Sequence, residues 1–251
     1  MSGLCAAAFG AFVLAGLSVL LPLFASVDLS PDTWRIVARA LWGTTQIVGL
    51  GLLGAVPVGI LAGVFAAEIG GPLGRLARIS AELLSAIPTI VVGVAAYSLV
   101  VLSLGGASRS AAAGAIGCLV APAIARSTRA LCLGVPGHLR DAALSLGVPR
   151  YRFVIFVLLR TVAPGLFGAV LTSAARAVGE AAPVLFVTTF ASAWDGERDD
   201  ARLSALPTEV FALGSAAGPW GYGRANLVCL VLLGVVVGLG VLGRLGARRS
   251  R

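Results

Sequence analysis

Arg176 and Glu180 place two opposite charges four residues apart in the middle of an apolar run, Ala163–Phe190. That spacing puts both side chains on one helix face. Thr172 and Thr188 extend the stripe at four- and eight-residue steps. An arginine at the centre of a bilayer costs about 2.5–3.5 kcal/mol on insertion scales, so such a residue is expected to face protein or a water-filled path rather than lipid. A guanidinium in such a path attracts an anion and matches two of its oxygens at once. Glu180 would neutralise Arg176 when no anion is present, and its repulsion toward an anion would keep occupancy short. Pro183 adds a backbone effect. It has no N–H for the carbonyl of Gly179, and its ring clashes there, so the helix is expected to kink beside Glu180. A bent helix with a mobile half suits a gate. The alternative is a constitutive ion pair that only orients helices.

These residues need a membrane around them. Hydrophobic residues make up 58% of the 251 and charged residues 12%, against roughly 25% charged in a soluble domain. Mean hydropathy is +0.99. The sequence therefore describes an all-α integral membrane protein. A spanning helix needs about 20 apolar residues, and six segments qualify. Leu4–Ala25, Leu41–Ala67, Ser85–Leu104 and Ala225–Gly243 carry no charge. Ala111–Ala125 is short and is expected to run on through arginines that snorkel to the interface. Ala163–Phe190 holds the charged pair. The first segment also admits reading as a cleaved signal peptide ending near Phe24-Ala25-Ser26. It lacks a basic start and its apolar run is long, so a retained helix is expected.

All nineteen basic residues are arginine. Arg75, Arg78, Arg126, Arg129, Arg140, Arg150, Arg152, Arg160, Arg244, Arg248, Arg249 and Arg251 fall on one side of the six-span topology. Arg35, Arg39, Arg109, Arg198, Arg202 and Arg224 fall on the other. The larger group marks the cytoplasmic side, with both termini there. Asp195, Glu197, Asp199, Asp200 and Glu209 fall opposite. The segment Ser192–Arg224 is acidic at first and then carries Trp220 and Tyr222, residues expected at a membrane interface. The net charge of +8 does not imply nucleic acid, because no basic run has interleaved aromatics. Cys5, Cys118, Cys132 and Cys229 form no CxxC or Cys/His cluster, so neither a metal site nor a cofactor is expected. His138 is the single histidine, and Glu180 is the lone acid at membrane depth, paired with an arginine. That argues against an intramembrane hydrolase. No GxxxxGK[ST] phosphate loop occurs, so ATP hydrolysis by this chain is not expected.

The longest polar loop on the arginine-rich side contains a short amphipathic segment. Leu139, Ala142, Ala143 and Leu146 recur at i, i+3, i+4 and i+7, one apolar helix face. Pro136 can sit in the first turn, and Gly147 followed by Pro149 can end the helix. A helix this short is marginal alone in water. It makes sense docked in a partner's groove or lying on lipid, and the pattern allows both. Gly49, Gly51, Gly54, Gly59 and Gly63, with Pro57, would let the second span pack closely or bend.

Three motifs carry a resemblance. Asp141, Ala142, Ala143 and Gly147 match the EAA loop of ABC-importer permeases, with Asp for Glu. Val157 and Leu159 stand at that pattern's Ile and Leu positions, and Arg160 replaces its Pro, with Pro164 as a nearby helix breaker. Ile87-Pro88-Thr89-Ile90-Val91-Val92-Gly93 resembles a segment of phosphate permeases. Ala175–Phe186 resembles the Ala-Arg-Ala-Ile-Gly-Glu-Thr-Ala-Pro-Leu-Leu-Phe segment of the PstA type. Ala182-Pro183 stands where the sister PstC type has Met-Ala. The likeness runs from about residue 40 to the C-terminus.

It implies a MetI-like ABC permease fold with six transmembrane helices and a cytoplasmic coupling helix. Residues 1–39 would form the first helix and an external loop. Residues 40–251 would form the permease core, with the EAA-like loop at about 136–160. The expected role is a non-catalytic permease subunit of an ATP-driven phosphate importer in the cytoplasmic (inner) membrane of a prokaryote. An importer of another oxyanion, molybdate or sulfate, is the alternative. The implied partners are two ATP-binding cassette subunits, a PstC-like second permease subunit and an extracytoplasmic phosphate-binding protein. Arg176, Glu180, Thr172, Thr188, Pro88 and Thr89 are the expected path residues, and Gly179 and Pro183 the gating kink. Leu139, Asp141, Ala142, Ala143, Leu146 and Gly147 would couple to the ATPase subunits. Pro88 also reads as a simple helix-entry residue, with Ser85 near the cap.

Overall fold

A computed structural model of the chain describes residues 24, 26–101, 109–187, 204–215 and 219–248. Every regular element among them is helical. Helix α1 is Pro31–Glu68. Its 38 residues span about 57 Å at 1.5 Å per residue, well beyond a hydrocarbon core of about 30 Å. It therefore starts before the apolar run begins at Leu41. Ser30 caps it by accepting from the Thr33 amide, and Pro31 occupies the first turn, where a missing N–H costs nothing. Helix α4, Arg109–Leu133, lies along α1. It continues through Arg126 and Arg129, as the short apolar run required.

Small residues set the α1/α4 contact. A Cβ on Gly51, Gly59 or Gly63 would stand 2.8, 2.8 and 2.5 Å from the carbonyl oxygens of Ala113, Ala121 and Ala125. The two registers advance together, so the helices run in the same direction. Gly49 and Gly54 meet nothing within 4 Å. The packing role falls on one stripe of the glycines, and Ile47, Ala55, Ile116, Val120 and Ile124 fill the core beside it.

Helix α2, Gly71–Ala86, has no counterpart among the expected spans. Arg75, Arg78 and Glu82 hold its hydropathy down, so a search for 20-residue apolar runs passes over it. Leu73, Leu76 and Leu83 nevertheless form an exposed apolar stripe. Helix α3, Thr89–Ala96, follows and continues as a π-helical turn, Tyr97–Val101. The expected span Ser85–Leu104 is thus corrected at its start. Ser85 belongs to α2, where its hydroxyl bonds the Ala81 carbonyl. The chain bends by 91° between α2 and α3 at Ile87-Pro88. The residue before a proline avoids the helical region, and Ile87 sits at ψ 128°.

Helix α5 is Gly137–Ser145. Helix α6 runs Arg150–Gly179 and includes a π-helical turn, Phe153–Leu158. Pro164 lies inside it and does not break it, contrary to its expected role. Residues 182–187 form α7. Helix α8, Leu206–Ser215, buries Leu206, Pro207 and Thr208, and the Leu206 amide donates to the Thr44 hydroxyl of α1 at 2.8 Å. This end of the Ser192–Arg224 segment is therefore folded against α1. Helix α9 is Pro219–Arg248. It crosses α6 glycine to glycine: a Cβ on Gly168 would stand 2.6 Å from the Gly243 carbonyl, and one on Gly243 3.0 Å from that of Gly168.

Among the described residues, four helices are long and apolar enough to span a membrane, and the bent pair α2–α3 makes a fifth candidate. Apart from Phe24, the expected first span, Leu4–Ala25, lies outside the described residues, as does Thr188.

Asp28 ties the start of α1 to the start of α9. It accepts from the Ser30 amide and hydroxyl, the Thr33 hydroxyl and Arg224 Nε, the last at 3.3 Å. The Ser30 amide first, then the Thr33 hydroxyl, hold its carboxyl at about 2, below the ordinary 3.8. A depressed carboxylate stabilises above its unfolded pKa and loses that contribution as pH falls through the folded one. Asp28→Asn is therefore expected to lower the melting temperature at pH 7. The difference from wild type should shrink as pH drops from about 4 toward 2, read by thermal unfolding in detergent.

Candidate functional site

Arg176 lies in the last turn of α6, where the helix dipole favours a cation. Its Nε stands 3.3 Å from Oε1 of Glu180. The Arg176 side chain is 61% exposed and that of Glu180 19%. The pair therefore forms as spaced, with the carboxylate tucked in and the guanidinium facing out of the subunit. The contact uses one nitrogen of a group that has five N–H donors.

The helix does more than kink at this point. It stops at Gly179, and Glu180 takes an extended conformation, φ −76° and ψ 106°, as its C-cap. After Ala181 the chain re-enters a helix, with the Leu185 amide bonding the Ala181 carbonyl at 2.9 Å. The physical reason is Pro183. It cannot supply the N–H that Gly179 needs, but in the first turn of a new helix no such donor is required. A break satisfies the backbone better than a bend.

The two halves of the site are far apart in the chain and meet at a glycine. A Cβ on Gly93 of α3 would stand 2.9 Å from Pro183 Cα and 3.3 Å from both the Ala182 carbonyl and the Phe186 ring. The motif ending in Gly93 and the motif containing Pro183 are thus pressed together directly. Pro88 and Thr89 enter the same helix one turn earlier. Pro88 is the N-cap of α3, and its carbonyl accepts from the Val91 amide at 3.0 Å. That is the helix-entry geometry.

Beside the ion pair lies a niche of about 10 Å³, close to the room one water needs. Ile116, Leu119, Val120 and Ala123 of α4 line it, with Ser173, Arg176, Ala177 and Glu180 of α6. Pro88, Thr89 and Thr172 do not line it. The Thr172 hydroxyl donates back to the Gly168 carbonyl at 2.9 Å, beside Gly243 of α9. Ser173, which the stripe left out, is buried at the niche instead. Its signal was its place three residues before Arg176, one that Thr172 nearly shares.

Helix α5 ends as its sequence required. Gly147 has φ +75°, the left-handed region open to glycine. Its amide bonds the Leu144 carbonyl at 3.0 Å and the Val148 amide that of Ala143 at 3.1 Å, a Schellman termination. No residue of α5 is buried. Leu139 is 39% exposed and Leu146 83%, and Asp141 and Ala142 are exposed too. Ala143 turns inward and packs against the cluster formed by Cys132, Phe153 and Leu158. The apolar stripe is thus split, with one alanine on the subunit and the leucines free.

Residues 55–248 match the model of the family described as binding-protein-dependent transport system inner membrane component. The chain belongs to that family. Among curated relatives it is similar to the phosphate transport system permease protein PstA of Xylella fastidiosa (strain 9a5c), at 34% identity over 74% of this chain and 66% of that protein. It is also similar to PstA of Haemophilus influenzae, at 34% identity over 65% of this chain and 59% of that protein. For PstA of Mycobacterium leprae the identity is 29% over 82% and 69%. The chain thus spans about two thirds of the length of the curated relatives it matches. Among solved structures, a chain of the MetNI methionine ABC transporter in an inward-facing conformation superposes with a TM-score of 0.63 at 20% identity. That match covers 89% of this permease-family chain and all of the other. The fold is therefore MetI-like.

Proposed function

We propose that this chain is the PstA-type permease subunit of an ATP-driven phosphate importer, and that Arg176 contacts the anion in transit. The observation that carries the reading is Arg176 itself, a guanidinium 61% exposed on the outside of one subunit and midway along an apolar run. Hydrocarbon against it would be costly. A second permease subunit of PstC type, with water between the two, covers it without that cost. Glu180 holds the guanidinium when the path is empty and repels the anion after it has bound. The break at Glu180-Ala181, seated on Gly93, gives α7 freedom to move as a gate.

Two ATP-binding subunits dock on the EAA-type loops of the two permease subunits, here on the exposed residues Leu139, Asp141, Ala142 and Leu146 of α5 and its C-cap, and α5 serves as the coupling helix. A phosphate-binding protein delivers substrate on the far side. In this reading Leu4–Ala25 is the first of six spans, both termini are cytoplasmic, and the arginine-rich ends of α4, α6 and α9 lie on the cytoplasmic face.

The test is ATP hydrolysis by the reconstituted complex of this chain, its PstC-like partner, the ATP-binding subunits and the binding protein. Inorganic phosphate is expected to stimulate hydrolysis, and sulfate and molybdate are not. Stimulation by either of those instead would move the substrate assignment, and stimulation by none of the three would overturn the reading.

A further inference from the structure

We propose that Arg140 is a positioning residue that fastens helix α5 to the end of α1, so that a push on α5 reaches α1 directly as well as α4 and α6. The proposal rests on the reading of α5 as the docking helix. That helix is peripheral. It is joined to α4 through Gly134-Val135-Pro136 and to α6 through Leu146-Gly147-Val148-Pro149, and neither linker runs to α1. Left to these linkers, a displacement of α5 would reach α4 and α6 directly and α1 only at second hand.

The Arg140 side chain closes that gap. One terminal nitrogen stands 2.6 Å from Oε1 of Glu68, the final residue of α1. Its Cζ stands 5.8 Å from the ring centroid of Phe153, within cation–π range. Phe153 is 2% exposed and opens the π-helical turn of α6. Arg140 Nε is enclosed and has no hydrogen-bond partner. One guanidinium thus touches the ends of two long helices from a third element that is otherwise unburied.

The chemistry asks for arginine. A planar cation can face an aromatic ring while donating to a carboxylate in its own plane, and a lysine ammonium presents one point charge to one partner at a time. The pair is half covered, with side-chain exposures of 36% for Arg140 and 17% for Glu68. Removing either partner leaves a charge partly desolvated, so both are tied to one geometry. The neighbouring residue Asp141 is exposed. Arg140 therefore turns toward the subunit while the next side chain stays open for a partner.

The experiment uses the assembled importer in nanodiscs, with Arg140→Met, Arg140→Lys, and the exchanged pair Glu68→Arg with Arg140→Glu. Hydrogen exchange of residues 137–145 is measured together with phosphate transported per ATP hydrolysed. Arg140→Met is expected to raise exchange in α5 roughly tenfold, since the helix loses its main tether. It should also lower the transport-to-hydrolysis ratio by about fivefold or more, while the ATP-binding subunits copurify in wild-type proportion. Arg140→Lys and the exchanged pair each keep an ion pair but not the guanidinium over Phe153, so each should recover exchange protection only in part. Wild-type exchange and coupling ratio in Arg140→Met would overturn the proposal. So would loss of the ATP-binding subunits with unchanged exchange, because Arg140 would then act in docking and not in positioning. Should the wild-type complex show no hydrolysis stimulated by phosphate, the functional reading fails, and the exchange measurement alone decides whether Arg140 holds α5.

Discussion

Arg176→Ala is expected to cut phosphate uptake by the assembled importer roughly 10- to 100-fold at unchanged membrane abundance. The magnitude follows from the loss of charge-assisted hydrogen bonds, worth about 1.5–3 kcal/mol, at about 1.4 kcal/mol per tenfold. The pair geometry makes the variant readable. Arg176 is mostly exposed in the subunit and Glu180 mostly covered, so removing the arginine disturbs little packing. Uptake is followed with radiolabelled phosphate, alongside immunodetection of the subunit in membranes. Wild-type uptake would remove Arg176 from the path. Glu180→Gln separates the two roles of the pair. If Glu180 only braces helices, the neutral variant should assemble poorly. If it limits the dwell of the anion, the variant should assemble normally and show altered flux or leak.

Gly93→Val is the second variant with a large expected effect. Its new Cβ would stand 2.9 Å from Pro183 Cα and 3.3 Å from the Ala182 carbonyl, and both are backbone atoms that cannot rotate away. Overpacking of this kind costs about 1–3 kcal/mol, and here the atoms forced to move are those of the broken helix. The melting temperature of the purified complex should fall, and phosphate uptake should fall further than abundance explains. Gly49→Ala is the matched control. A Cβ there meets nothing within 4 Å, and alanine is the better helix former by roughly 0.5–1 kcal/mol, so stability should hold or rise. Equal behaviour of the two variants would mean that the contact between α3 and α7 is not fixed in the working protein.

The sequence determined what depends on local chemistry. Apolar runs near the length of a bilayer marked the positions of α1, α4, α6 and α9, because transfer into lipid depends on composition over one segment. Gly147 and Pro149 marked the end of α5, because backbone conformation there belongs to single residues. The four-residue step from Arg176 to Glu180 brought the two charges within reach of each other, although Glu180 caps the helix and does not continue it, and Pro183 marked the place where the backbone had to yield.

The tertiary structure decided what depends on how helices rotate and where they cross. It selected Gly51, Gly59 and Gly63 for contact and left Gly49 and Gly54 open, although all five stand in one helix. It turned Thr172 toward α9 and Ser173 toward α4, a choice between adjacent residues that periodicity does not make. It kept Pro164 inside α6 while Pro183 ended it. It formed α2, whose charges hide it from a hydropathy reading, and folded α8 onto Thr44. The pairing of Arg140 with Glu68 joins residues 72 positions apart. Such contacts are set by the volumes and polar atoms that two helices present to each other, and a single strand of sequence does not state which faces will meet.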